Sequence, residues 1–264
     1  MPAKPIAYSM ILASAVNNTG VLENCLQRSP DVAEGRLALR TYRDYRSASL
    51  AYNVALDELT EDVIAFAHQD VYLPAGSLTR IQNLLTELSV CDPDWVVCGV
   101  IGMNAAGATL GQTWCTANGR LLGPPVDTAV EIMTLDETLL LLRRASGVRF
   151  DAGLPSFHLY AADIIQTGIA RGQKSYVLPV PIVHHSRAVV NLDAGYRAAY
   201  RHMQRKWRAV LPLHNLCCEI HHSDFYLIKE YLRHRWRHGF GPRPPEPKDN
   251  PALIARRLGW EPRA

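Results

Sequence analysis

The chain has 264 residues, of which 48% are hydrophobic, 20% charged and 8% aromatic, with a net charge of +3. This balance excludes disordered, collagen-like and coiled-coil classes, and no apolar run approaches the roughly 18 residues of a membrane helix. A chain of this length buries a core without disulfide or metal staples. Its six scattered cysteines, with no C-x-x-C among them, read as reduced thiols of a cytoplasmic protein.

Lys4 followed by an apolar stretch and Ala13-Ser14-Ala15 imitates a secretory leader and its cleavage site. The alternative is a first buried strand over 6–15 that ends in the polar turn Asn17-Asn18. Apolar runs and helix-like stretches then alternate: a helix over 20–28, a strand over 36–42, a helix over 48–59, a strand over 63–67, a helix over 75–88 and a strand over 95–101. This alternation predicts an α/β fold with a mostly parallel sheet covered on both faces. Residues 102–125 are rich in Gly and Pro and read as loops and hairpins. Beyond them come a strand over 139–143, a helix over 159–170 and short strands over 175–178 and 182–185. Long polar-apolar helices are predicted over 194–210 and 216–237, followed by a Pro-rich strap over 242–251.

Charge is divided unevenly: residues 197–264 hold 14 Lys/Arg against 6 Asp/Glu, whereas residues 1–196 are net acidic. The basic tail suits an anionic partner or forms a solvated helical face. No nucleic-acid-binding module is present.

Two glycine patterns are decoys. Gly99-Val-Ile-Gly102 lacks G-x-G-x-x-G, and Gly168 to Ser175 has Gln173 where a phosphate-binding loop needs glycine. A helix over 214–222 would gather His214, Cys217, Cys218 and His221 within an arc of roughly 100°. That face either binds zinc or belongs to a partly buried helix rich in Cys and His.

The segment from Arg46 to Pro74 is the most informative. A helix with Asn53 leads to a buried strand whose end presents His68 and Asp70 at i and i+2, on one side of the chain. An imidazole and a carboxylate there, at the carboxyl end of a parallel strand, can meet one divalent cation that bridges a diphosphate. The same residues also suit a strand-end turn with a packed histidine.

This segment resembles family-2-type glycosyltransferases of the GT-A (Rossmann-like) fold, with His68-Gln69-Asp70 similar to the H-Q-D variant of the D-x-D motif in a bacterial glycosyltransferase-like branch. The resemblance extends to the stretch from Ser9 to Leu26, the strand Val97 to Gly102, and Thr134-Leu-Asp-Glu-Thr through Arg143. It continues through Phe150-Asp-Ala-Gly to Asp163 and Val183-His-His-Ser186, covering about 200 residues. It implies metal-dependent, inverting transfer of a sugar from a nucleotide-diphospho-sugar to a glycan, lipid-linked or small-molecule acceptor. It also implies a catalytic domain over 1–212 and a basic helical extension with a Pro-rich tail over 213–264.

Site roles follow from the resemblance. Asn17 and Asn18 lie near the nucleotide, Arg46 and Asn53 border the donor pocket, and His68 and Asp70 hold Mn2+ or Mg2+, completed by His184 or His185. The family's Glu-Asp pair is missing: the stretch reads Tyr160-Ala161-Ala162-Asp163. The base is therefore Asp163, Asp151 or His158, or the protein is a nucleotide-binding scaffold that transfers weakly or not at all. The basic helix, with Arg233, Arg235 and Arg237 around Trp236, either packs on the domain or rests on the cytoplasmic face of a membrane.

Overall fold

The computed structural model describes residues 8–187, 192–238 and 244–262. Strand β1 (Met10–Ala15) runs into α1 (Thr19–Asn24), whose first turn is capped by the Asn18 side chain, and then into the single turn α2 (Pro30–Ala33). β2 (Leu39–Tyr42), α3 (Ala48–Glu58), β3 (Val63–Ala67), β4 (Val71–Tyr72) and α4 (Ser77–Cys91) follow. Next come β5 (Val97–Gly99), β6 (Ile101–Met103), β7 (Thr109–Gly111), β8 (Thr113–Cys115), β9 (Arg120–Leu122), β10 (Val130–Ile132) and β11 (Thr134–Leu135). β12 (Leu139–Arg143), α5 (Tyr160–Ile169), β13 (Ser175–Val177) and β14 (Val183–His184) precede the C-terminal helices α6 (Ala194–Lys206), α7 (Phe225–His238) and α8 (Pro251–Arg257).

The main sheet has the order β10-β13-β5-β12-β3-β1-β2. β2, β1 and β3 pair in parallel, and β12 is antiparallel to both β3 and β5, so β5 and its parallel neighbour β13 share the direction of β1. Five of the seven strands thus run one way, which is the mostly parallel α/β arrangement that the resemblance implied. Two small sheets, β11-β6-β7 and β4-β14-β8-β9, lie beside it.

The central strands are apolar throughout because both of their faces are covered. Ile64 and Phe66 of β3, with Leu140 and Leu142 of β12, face the core that holds Ala51 and Ala55 of α3, Ile164 of α5 and Tyr200 of α6. Val63, Ala65, Leu139 and Leu141 face Ile81 and Leu85 of α4 on the other side. Such alternation is the period-2 geometry of a strand buried twice over.

Several boundaries differ from the expectation. Ala13-Ser14-Ala15 is the buried end of β1, and the start of the strand expected over 6–15 lies outside the described residues. The strand expected over 95–101 divides at Val100, so β5 stays in the main sheet while β6 joins β11 and β7. Gly102 serves that junction, since a Cβ there would collide with the Thr134 carbonyl. The helix expected over 194–210 ends at Lys206, with a 3-10 turn over Arg208–Val210.

The helix expected over 216–237 begins only at Phe225. Ahead of it, Leu213 and Ile220 pair as an extended bridge, and the Asn215 side chain accepts from the Cys217 N–H. Polar side chains there satisfy backbone groups that a helix would need. Leu213, Ile220 and Leu227 join the main core, and α8 packs on Val183 of β14 through Ile254 and Ala255.

Candidate functional site

β3 delivers His68 at its carboxyl end, where the His68 N–H donates to the Thr138 carbonyl (3.0 Å) and the Val71 N–H turns back to the His68 carbonyl (3.1 Å). This tight turn points Asp70 back beside His68. β14 pairs antiparallel with β4, His184 opposite Val71, and the His185 N–H donates to the Asp70 carbonyl (2.8 Å). Two segments more than a hundred residues apart in sequence are thereby zipped into one corner.

Within it, His68 Nδ1 lies 3.9 Å from Asp70 Oδ1 and His184 Nε2 lies 3.5 Å from Asp70 Oδ2. Candidate ligand atoms of all three residues fall within 4.8 Å of one another. Burial disfavours the Asp70 carboxylate, but His184 and His68 outweigh it and hold this group well below the usual carboxylate range. Burial also lowers the His68 pKa, favouring the neutral imidazole that a metal needs. Tyr160 Oη donates to the Glu137 carbonyl (3.2 Å) and so accepts from His68 Nε2 (2.9 Å). Tyr160 thus holds the Nε2 side of the ring, and Nδ1 is the nitrogen on the Asp70 side.

Gln69, between the two motif residues, is a clamp. Its Oε1 accepts from the N–H groups of Asn17 (3.0 Å) and Asn18 (2.9 Å), and its Nε2 donates to Asn17 Oδ1. The end of β1 is thus fixed against the end of β3.

His68 and Asp70 of this cluster line a cavity of about 430 Å³. One wall has Asn17, Tyr42, Asp44 and Tyr45 from the ends of β1 and β2, and the other has Phe157, His158 and Tyr160. Three residues other than glycine adopt positive φ among the described residues: Asp44, Ser156 and Leu159. Asp44 lines this cavity, and the other two flank Phe157 and His158. For a bulky residue such as Leu159 this conformation is strained, and strain of this kind concentrates at functional sites. The loop is held in place by Ser156, whose carbonyl accepts from the Ala48 N–H (3.1 Å) and whose Oγ donates to the Gly195 carbonyl (3.1 Å).

Several expected site residues stand elsewhere. Asn53 spends its side chain on Phe150, donating to its carbonyl (2.8 Å) and accepting from its N–H (3.1 Å), so it fastens a loop rather than bordering the cavity. Arg46 is exposed and is not part of the cavity wall. Asn18 caps α1. His185 packs its Nδ1 3.6 Å from Cys25 Sγ, leaving His184 as the third member of the cluster.

Asp163, expected as a base, is 1% exposed, with its two oxygens held by Lys206 Nζ and Trp207 Nε1, each at 2.8 Å. Burial raises its pKa against the pull of Lys206. The same Lys206 reaches Asp151 (2.9 Å), which also meets His202 (2.9 Å). These bonds overcome burial and hold Asp151 down at about 2. Asp163 joins α5 itself to the end of α6, and Asp151 joins the loop before α5 to α6. His158 lines the cavity and lies 3.7 Å from Asp193.

The cluster expected over 214–222 is a different structure. His214 and His221 both bind the Glu219 carboxylate, at 2.6 and 3.0 Å, and they are not on a helix. Among the described residues, the grouping with metal-ligand spacing is His68, Asp70 and His184.

Sequence reasoning missed Glu137, in the turn between β11 and β12. The N–H groups of Leu159, Ala161 and Tyr160, at the start of α5, which has no side-chain cap of its own, lie near its carboxylate and favour the charged form. The acidic pair that the resemblance implied is absent from this helix start, where the chain has Tyr160 and Ala161. Burial, with Asp136 alongside, pushes the Glu137 carboxyl up to about 8 despite those N–H groups. The only advance signal was the Leu-Asp-Glu stretch itself, which reads equally well as the polar lead-in to a strand.

No family model matches the chain. A curated protein of Fuscovulum blasticum described as "ATP synthase subunits region ORF 6" is 26% identical over 162 residues, 59% of this chain and 63% of that protein, so the chain spans less than two thirds of this relative. Among solved structures, it is similar to the mannosyltransferase PcManGT from Pyrobaculum calidifontis in complex with GDP-Man and Mn2+. The identity is 15%, covering 95% of this chain and 69% of that one, with a TM-score of 0.46. It is similar also to GalNAc-T7 with UDP, GalNAc and Mn2+ (11% identity, 88% and 55% covered, TM-score 0.49). A third is S. aureus TarS 1-349 (17% identity, 88% and 72% covered, TM-score 0.48). All three TM-scores lie below 0.5, a likeness too loose to say what this chain binds.

Proposed function

We propose that the chain is a metal-dependent glycosyltransferase that moves a sugar from a nucleotide-diphospho-sugar to an acceptor hydroxyl with inversion. The observation behind this reading is the His68–Asp70–His184 cluster at the carboxyl end of β3, opening onto the cavity at the ends of β1 and β2. Parallel sheets bind ligands at such ends. The donor set fits a divalent ion: one carboxylate kept ionised and two imidazoles, with the Nδ1 of His68 on the Asp70 side. Two nitrogen ligands suit Mn2+ better than Mg2+, which prefers oxygen. When bound, such an ion supplies positive charge to the diphosphate leaving group.

The chain's own residues do the rest. Tyr42 and Tyr45 offer aromatic faces to the nucleoside, and the Gln69 clamp keeps the Asn17-Asn18 end of β1 in register with the metal ligands. Phe157 and Tyr160 form the opposite wall and exclude water from the reacting centre. Glu137 is the base we assign: its backbone carbonyl accepts from the hydroxyl of Tyr160, a residue of the cavity wall, which places it beside that wall at the start of α5, and burial raises its pKa toward the range of proton uptake near neutral pH. Asp163 and Asp151 keep Lys206 and α6 in place. A nucleotide-binding scaffold without transfer activity would keep the cluster and cavity and be indifferent to loss of the Glu137 carboxylate.

The test is calorimetric titration of UDP, GDP and dTDP, each with Mn2+ and with EDTA, on the chain and on Asp70→Ala. The expected result is Mn2+-dependent binding of one nucleotide that Asp70→Ala abolishes. Binding unaffected by EDTA or by the substitution overturns the metal assignment, and no binding to folded protein overturns the donor site.

A further inference from the structure

Helix α7 leaves an apolar stripe uncovered. Phe225 is 64% exposed, Ile228 54%, Leu232 58% and Trp236 92%. At 100° per residue these four positions fall within an arc of roughly 80°. Leu227, on the opposite side, is buried in the core. Single exposed apolar residues are ordinary, but four aligned along about three turns of one helix form a continuous surface.

The charge around the stripe has one sign. Lys229 and Arg233 are exposed next to it, and the sequence of α7 holds four Lys/Arg against the single acid Glu230, which Arg233 already pairs at 3.1 Å. Arg235 lies along Tyr231, 3.2 Å from its hydroxyl. The helix is anchored from behind: Asp224 pairs with Arg201 of α6 (3.0 Å), Arg197 lies over the Tyr231 ring, and Tyr226 stacks on His221 at 3.6 Å. A rigidly held helix with an apolar stripe, an exposed tryptophan and basic flanks has the make-up of a helix that lies in a lipid interface. A second copy of this chain is a poorer occupant, because two such faces would bring like charges together.

We propose that α7 docks the protein on an anionic membrane surface, with Phe225, Ile228, Leu232 and Trp236 sunk into the headgroup boundary and Lys229 and Arg233 against the anionic headgroups. This surface is distinct from the metal corner and stands whether or not a nucleotide binds there. No helix among the described residues is long and apolar enough to cross a membrane, so contact through α7 would be peripheral.

The experiment is co-sedimentation of the full chain with phosphatidylcholine vesicles and with vesicles in which about a third of the lipid is phosphatidylglycerol. Phe225→Ser/Leu232→Ser/Trp236→Ser and Lys229→Gln/Arg233→Gln are run beside it, with circular dichroism to confirm folding. The single variant Trp236→Ser, at a position 92% exposed, is the control if the triple variant misfolds. We expect binding to the anionic vesicles that salt weakens. The serine variant should lose roughly tenfold or more, and the glutamine variant should lose the preference for anionic lipid. Wild-type protein that stays in the supernatant, or serine variants that pellet equally well, would overturn the proposal. A lipid-free dimer in sedimentation velocity that the serine variant splits, without vesicle binding, assigns the stripe to a second copy instead.

Discussion

At Glu137 three backbone N–H groups and a low-polarity setting act on the same proton in opposite directions. The donors favour the carboxylate, burial and Asp136 disfavour it, and the balance leaves the group near 8. The raised value means that the fold prefers the protonated form. That contribution to stability is full below the unfolded pKa of roughly 4.3 and fades as pH rises through about 8. A base must be ionised, so kcat/KM should climb with pH and level off above about 8, whereas Glu137→Gln should lower kcat by roughly 100-fold or more with donor affinity unchanged. Stopped assays across pH 6 to 9 with calorimetry of donor binding check this, and an unchanged kcat would return the proton to His158. The metal corner was legible beforehand because its His68 and Asp70 lie two positions apart on one strand end. Glu137 was not, because its partners lie on a helix more than twenty residues further on, and a chain read one residue at a time does not show which carboxylate will meet a helix start. For the same reason Asp163 looked free until Lys206 and Trp207, some forty residues later, were seen to hold it.

Among the elements, β12 decides most about the sheet. It is the antiparallel strand that stands between β5 and β3 and joins them in one sheet, and its four leucines are each at most 1% exposed. Leu141 packs on the α4 face, so Leu141→Ala removes apolar burial and opens a cavity at the centre of the sheet. The expected loss is about 2–5 kcal/mol, read as a lower urea midpoint with an unchanged slope. A loss under about 1 kcal/mol would mean that the neighbouring side chains collapse into the space. Strands such as β3 and β12 were recognisable in advance because burial on both faces makes them uniformly apolar. α7 was misplaced at its start because apolar and polar spacing over 216–224 suits a helix, and only the long-range pairing of Leu213 with Ile220 overrides it. The short strands β6 to β11 had no periodicity to read, being two or three residues each.

Across the whole molecule, the far end of the chain supports the metal corner. Glu261, buried behind β4, accepts from Tyr72 Oη (2.8 Å) and from the Ala75 N–H (2.9 Å), while α8 packs on β14. Glu261→Ala leaves the buried Tyr72 hydroxyl without its acceptor and should cost about 1–3 kcal/mol. Because β4 and β14 together position Asp70 and His184, the same change should weaken Mn2+ binding severalfold without touching a ligand. Thermal melts and metal titration on one sample measure both, and an unaltered affinity would show that the two strands hold their register unaided. The arrangement also sets an order of events during synthesis. Tyr72 and Glu261 lie 189 residues apart, so at about 5–20 residues per second a growing chain exposes its strand-end ligands for roughly 10–40 s before their buttress emerges. Metal capture by this protein would then be timed by the ribosome, arriving with the final residues of α8 and Glu261 rather than with the strand that bears Asp70.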